Sequence, residues 1–85
     1  MSSKQVKVYK YGEDIGRKVC IRADSDFSML ASDLDDMFGP GLKLFRKESE
    51  FNLLYKDREN YWKSLDDVTW SMLVERVTRL RIAKK

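Results

Sequence analysis

Between Val6 and Phe38 the hydrophobic period changes from two to about 3.6, and that switch limits the folds open to this chain more than any single motif. Val6 and Val8 alternate with Lys7 and Tyr9, and Val19 and Ile21 alternate with Lys18, Cys20 and Arg22. Successive side chains of a strand point to opposite faces, so each run is predicted as a half-buried strand with its branched residues on one side. Tyr11-Gly12-Glu13-Asp14-Ile15-Gly16 lies between them and has the two glycines and two acids of a turn joining antiparallel strands. From Phe27 the spacing is helical: Phe27, Leu30, Ala31, Leu34, Met37 and Phe38 fall at i, i+3, i+4, i+7, i+10 and i+11. Asp24-Ser25-Asp26 supplies capping oxygens at its start. Gly39-Pro40-Gly41 ends it, since glycine accepts a positive φ and proline cannot continue the hydrogen-bond ladder. Asp35 and Asp36 sit in its last turns, where the dipole disfavours acids, and they read as solvated residues of the outer face.

Phe51-Asn52-Leu53-Leu54-Tyr55 is predicted as a third strand and Tyr61-Trp62-Lys63 as a short fourth. Trp70, Leu73, Val74 and Val77 repeat at helical spacing, with Asp66 or Asp67 as the cap. Leu80 and Ile82 then alternate with Arg79 and Arg81 in a last strand. The order strand-strand-helix-strand-strand-helix-strand describes an α+β, ubiquitin-like β-grasp roll over residues 1–85, expected as a single domain, with Met1-Ser2-Ser3 a flexible start. Such a fold hosts many functions and names none. The terminal Ala83-Lys84-Lys85 lacks the Gly-Gly tail a conjugated modifier needs.

Composition narrows the chemistry. Eighty-five residues without histidine and with one cysteine offer no imidazole base, no Cys/His pair and no internal disulfide. No enzyme activity, cofactor or metal is expected, and Cys20 reads as a sheet residue. The carboxylates of Asp57, Glu59, Asp66 and Asp67 lack the twelve-residue pattern of a calcium loop. Apolar runs reach only three residues, so no membrane partner is expected.

Charge is arranged in blocks. Residues 1–22 carry a net charge of +4, residues 23–41 carry −5, and residues 76–85 carry +5. Lys7 lies in the first strand on the face away from Val6 and Val8, Lys10 at its end, and Arg17 and Lys18 open the second strand. Antiparallel pairing is expected to bring these cations together. Strong fields of both signs on one small chain suit a partner that resembles the chain itself.

Taken in order, Val6-Lys7-Val8-Tyr9-Lys10, Gly16-Arg17-Lys18, Met37-Phe38-Gly39, Asp57-Arg58-Glu59-Asn60, Asp67 with Trp70, and Thr78-Arg79-Leu80-Arg81-Ile82 resemble the carboxy-terminal Phox and Bem-one type interaction domain of the plant auxin response factors and Aux/IAA repressors. The resemblance covers nearly the whole chain. It implies a front-to-back adhesive module in which a basic face, here Lys7, Lys10, Arg17 and Lys18, meets an acidic face, here Asp57, Glu59, Asp66 and Asp67, of another copy or of a related domain. It further implies a nuclear role in auxin-responsive transcription, without direct nucleic-acid binding by this domain. Tyr61 stands where a third acid is usual, Asp66 replaces a glycine, Val68 an acid and Thr69 a proline, all on the acidic side.

Two other readings compete. The basic face could bind nucleic acid, or a ubiquitin-like domain could bind an unrelated protein through an apolar patch. Trp62 and Trp70 are expected in the core, which leaves Tyr9 as the exposed stacking aromatic, and burial of both helical stripes is expected to leave no apolar patch free.

Overall fold

A computed structural model describes residues 3–85. Met1 and Ser2, part of the expected flexible start, lie outside them, whereas Ser3 already belongs to a strand. The elements are β1 (Ser3–Lys10), β2 (Arg17–Arg22), α1 (Phe27–Phe38), β3 (Phe51–Lys56), β4 (Trp62–Ser64), α2 (Trp70–Arg76) and β5 (Arg79–Lys84). They form the expected α+β arrangement of the ubiquitin-like β-grasp. One five-stranded sheet in the order β2-β1-β5-β3-β4 has β1 and β5 parallel and its other pairs antiparallel.

The two periodicities make one core. Val6, Val8, Val19 and Ile21 of the hairpin, Leu53 and Tyr55 of β3, and Leu80 and Ile82 of β5 are buried on one face of the sheet. Leu30 and Leu34 of α1 and Leu73 and Val74 of α2 close over them. Each fully buried aliphatic side chain contributes about 1.5–3 kcal/mol. Leu42 and Leu44, in the loop after α1, are buried as well. Lys43 and Phe45, at φ 48° and 69°, adopt the left-handed region on either side of Leu44. The Ser49 hydroxyl ties this loop down, donating to the Leu42 carbonyl at 2.6 Å and accepting the Phe51 amide at 3.0 Å.

Asp26 caps α1, its Oδ1 accepting the Met29 N–H at 2.8 Å, and Gly39 ends it at φ 103°. The cap of α2 is Thr69, whose Oγ1 accepts the Met72 N–H at 3.2 Å, and not Asp66 or Asp67. Those two lie one turn too early, in a bend closed by the Val68 N–H on the Leu65 carbonyl at 3.2 Å. Cations near the ends of both helices complement the dipoles: Arg17 donates to the Met37 carbonyl and Lys4 to the Val77 carbonyl. Asp36 is exposed as expected, but Asp35 is half-buried and its Oδ1 is enclosed without a hydrogen-bond partner among the described residues. It borders a groove lined also by Phe27, Ala31, Phe45 and Leu65, where the loop after α1 returns along the helix. Phe45 is 52% exposed there, so an apolar strip does remain open on the helical side.

Candidate interaction surfaces

The helices cover one face of the sheet, and the other face carries the cations. Registered neighbours on adjacent strands share a face. Lys7 stands opposite Lys18 on β2 and beside Arg79 on β5, Arg79 stands opposite Lys56 on β3, and Lys56 opposite Trp62 on β4. Lys18, Lys7, Arg79, Lys56 and Trp62 therefore run in one row across all five strands. A second row adds Tyr9 and Arg81. Among the described residues, none of these five cations forms an ion pair. Gly16 lets the Tyr9 ring lie close, since a Cβ there would stand 2.7 Å from a ring carbon.

Trp62 belongs to this open face and not to the core. Its ring lies 4.7 Å from the Lys56 ammonium and 5.9 Å from the Arg81 guanidinium, which places the negative face of the indole among positive charges. Trp70 does border the core: it meets Phe27 edge-on at 5.1 Å and donates its indole N–H to the Arg22 carbonyl at 2.9 Å.

The four cations expected together divide between two faces. Lys7 and Lys18 are adjacent, exposed and on the open side. Lys10 and Arg17 have the parity of Val8 and turn to the helical side. Lys10 pairs with Glu13 at 3.8 Å and lies over the Phe51 ring, while Arg17 lies over the Phe38 ring at the end of α1. The sequence reading missed Lys56, Arg79 and Arg81 as members of the cationic face. The alternation in β5 does place Arg79 and Arg81 opposite Leu80 and Ile82, but only the strand order reveals their neighbours.

The acids also separate. Asp57 and Glu59 occupy the turn between β3 and β4. Asp57 Oδ1 accepts the Glu59 N–H at 2.8 Å, and Asn60 closes the turn in the left-handed region at φ 69°, a conformation asparagine tolerates. Thr78 anchors the base of the turn, donating its N–H to the Lys56 carbonyl at 2.7 Å. Because β4 runs back along β3, Asp66 and Asp67 emerge at the other end of that hairpin. Both are exposed, and Asp66 borders the groove beside α1.

Lys63 of β4 completes the first acid turn. Its ammonium lies 2.8 Å from Asp57 Oδ2 and also bonds Glu59 Oε1. The Lys63 hydrogen bond holds the Asp57 carboxyl below the usual carboxylate range, and the same bonds, Asp57 first, push the Lys63 ammonium above the usual lysine value. Cys20 is exposed on β2, a sheet residue as expected.

The family model described as the AUX/IAA family matches residues 41–85, which include the acid turn, α2 and β5. Auxin-responsive protein IAA32 of Arabidopsis thaliana is 48% identical over 84 residues, spanning 94% of this chain and 44% of the relative. Auxin-responsive protein IAA34 of the same plant is 46% identical, spanning 94% and 45%. Auxin-responsive protein IAA10 of Oryza sativa subsp. indica is 38% identical, spanning 93% and 32%. The chain thus spans less than half the length of these relatives. With a family model matched over more than half of the chain and relatives aligned along nearly all of it, the chain belongs to the AUX/IAA family.

Proposed function

We propose that residues 1–85 form one interaction domain through which an auxin-responsive transcriptional regulator, acting in the nucleus, joins copies of itself or related domains. The basic face of one copy meets the acid turn of the next. The observation that carries this reading is the row of cations Lys18, Lys7, Arg79 and Lys56 on the open sheet face, which form no ion pair among the described residues. Like charges directly opposite each other across strands are destabilising. An anionic partner relieves that cost through charge-assisted hydrogen bonds, about twice as strong as neutral ones.

Lys7 and Lys18 form the centre of the basic pole on the open sheet face, and Lys10 and Arg17, expected beside them, lie on the helical side of the same strands. Asp57 and Glu59 form the acidic pole, and Asp66 and Asp67 lie at the other end of the β3–β4 hairpin. From β2 to β3 there are three strand spacings, about 14 Å at about 4.8 Å each. That exceeds the screening length of about 8 Å at physiological salt, so Lys18, at the far end of the row, and the acid turn do not cancel within one molecule. Unlike faces meeting head to tail do not close on themselves, and the assembly is an open row.

Light scattering tests this. At low ionic strength the mean mass should rise with concentration and return to the monomer in 0.5 M salt, and Lys7→Gln/Lys18→Gln should stay monomeric throughout. An Asp57→Asn/Glu59→Gln chain should lose self-association while binding a phosphate backbone more tightly, which separates this reading from nucleic-acid recognition. Unchanged assembly in both variants would overturn it.

A further inference from the structure

The acid turn is not presented free. Both oxygens of Asp57 are engaged, Oδ1 by the Glu59 N–H and Oδ2 by Lys63, and the same ammonium holds Glu59. Lys63 reaches them because it stands opposite Tyr55 in the β3–β4 register, so its side chain runs along the covered side of the sheet toward the turn. The Asp57 side chain is 12% exposed and that of Lys63 is 21% exposed, while Glu59 is 62% exposed. With Arg58 in the same turn, the positive and negative charges of residues 57–63 are equal in number. The open sheet face, in contrast, holds its cations without a counter-ion among the described residues.

Resting on the head-to-tail reading above, we propose that Lys63 is an internal counter-ion that weakens the acidic pole, so that this chain docks more tightly through its sheet face than through its acid turn. A docking lysine must either displace Lys63 from Asp57 and Glu59 or share their remaining lone pairs with it. In both cases Lys63 stays beside the newcomer and repels it. The partner that fits this chain best is a domain of the same fold whose acid turn lacks such a cation. Against that partner the sheet face docks at full strength, and mixed pairs are favoured over long rows of this chain.

The test uses two full chains that can meet in one way only. The first, Lys7→Gln/Lys18→Gln, retains the acidic pole, and the second, Asp57→Asn/Glu59→Gln, retains the basic pole. Titration calorimetry gives the Kd of the pair. Adding Lys63→Met to the first chain should tighten binding by about tenfold or more, the scale of a close charge pair uncovered at an interface. Adding it to the second should leave the Kd within about twofold, since that pole does not contain Lys63. Lys63→Gln, which retains a hydrogen-bond donor without the charge, is run beside it with thermal melts, so that a poorly folded Lys63→Met chain does not decide the outcome. Binding that is indifferent to Lys63, or weakened by its removal from the first chain, overturns the counter-ion role alone. No binding in any pairing, with or without Lys63, overturns the head-to-tail reading and this inference with it.

Discussion

Replacing Lys7 by glutamine should make the domain more stable while abolishing its association. Lys7 is exposed on β1 and has a cation on each side, Lys18 across β2 and Arg79 across β5. A like-charge pair directly opposite in a sheet costs about 0.2–1 kcal/mol. Long exposed side chains bend apart and water screens them, so the two pairs together are worth about 0.5–1 kcal/mol. At about 4–8 °C per kcal/mol for a domain of this size, the melting temperature rises by about 2–8 °C. The gain should be largest at about 0.01 M salt, where the screening length is about 30 Å, and vanish at about 1 M, where it is about 3 Å. Melts followed by circular dichroism at both salts, with Lys47→Gln in the exposed loop after α1 as control, read this directly. At a protein concentration where wild type is monomeric by light scattering, a Lys7→Gln chain that melts at or below wild type in low salt refutes the reasoning. So does a gain that persists unchanged at 1 M salt.

Four further outcomes are expected. Ser49→Ala should cost about 1–3 kcal/mol, because the Leu42 carbonyl and Phe51 amide lose their partner, seen as a lower urea midpoint at unchanged slope. Leu34→Ala, at a position with no exposure, should cost about 2–5 kcal/mol, a large share of the roughly 4–13 kcal/mol that a domain of this length has. Thr69→Ala should cost about 0.5–2 kcal/mol in the same unfolding assay, whereas Asp67→Ala should stay within about 0.5 kcal/mol of wild type. The Asp57 carboxyl, held low by Lys63, contributes stability that is complete above the ordinary aspartate value of about 3.9 and is lost as pH falls through its depressed value. Lys63, held high, contributes stability present below the ordinary lysine value of about 10.4 and lost only as pH rises through its raised value. Carboxyl chemical shifts followed from neutral to acid pH should therefore show Asp57 titrating below a reference aspartate, and in Lys63→Met that difference should shrink.

The elements were legible because each is written in its own period. α1 fills the interval between Asp26 and Gly39, and the strands at Val6–Val8, Val19–Ile21 and Leu80–Ile82 bury the residues their alternation marks. The faces were less legible. Lys10 shares the parity of Val6 and Val8, yet it stands at the strand end, where the core stops and an ammonium reaches Glu13. Arg79 and Lys56 meet Lys7 and each other only through pairings between residues far apart in the chain. Trp62 resembles a core residue by type, but the outer position opposite Lys56 sets its place. Lys63 carried a local signal, four residues after Glu59 on a strand returning from the turn, and its reach to Asp57 and Glu59 depends on the β3–β4 register.

The place of β5 between β1 and β3 has a consequence for synthesis. A ribosome delivers the β1–β2 hairpin first and the β3–β4 hairpin next, and the strand that must join them emerges last. Until Arg79–Lys84 is out of the exit tunnel, the nascent chain has two hairpins with uncovered inner edges and half a core. Such edges invite pairing with neighbouring chains. A message truncated before the Arg79 codon should therefore yield insoluble product instead of a shortened but working domain.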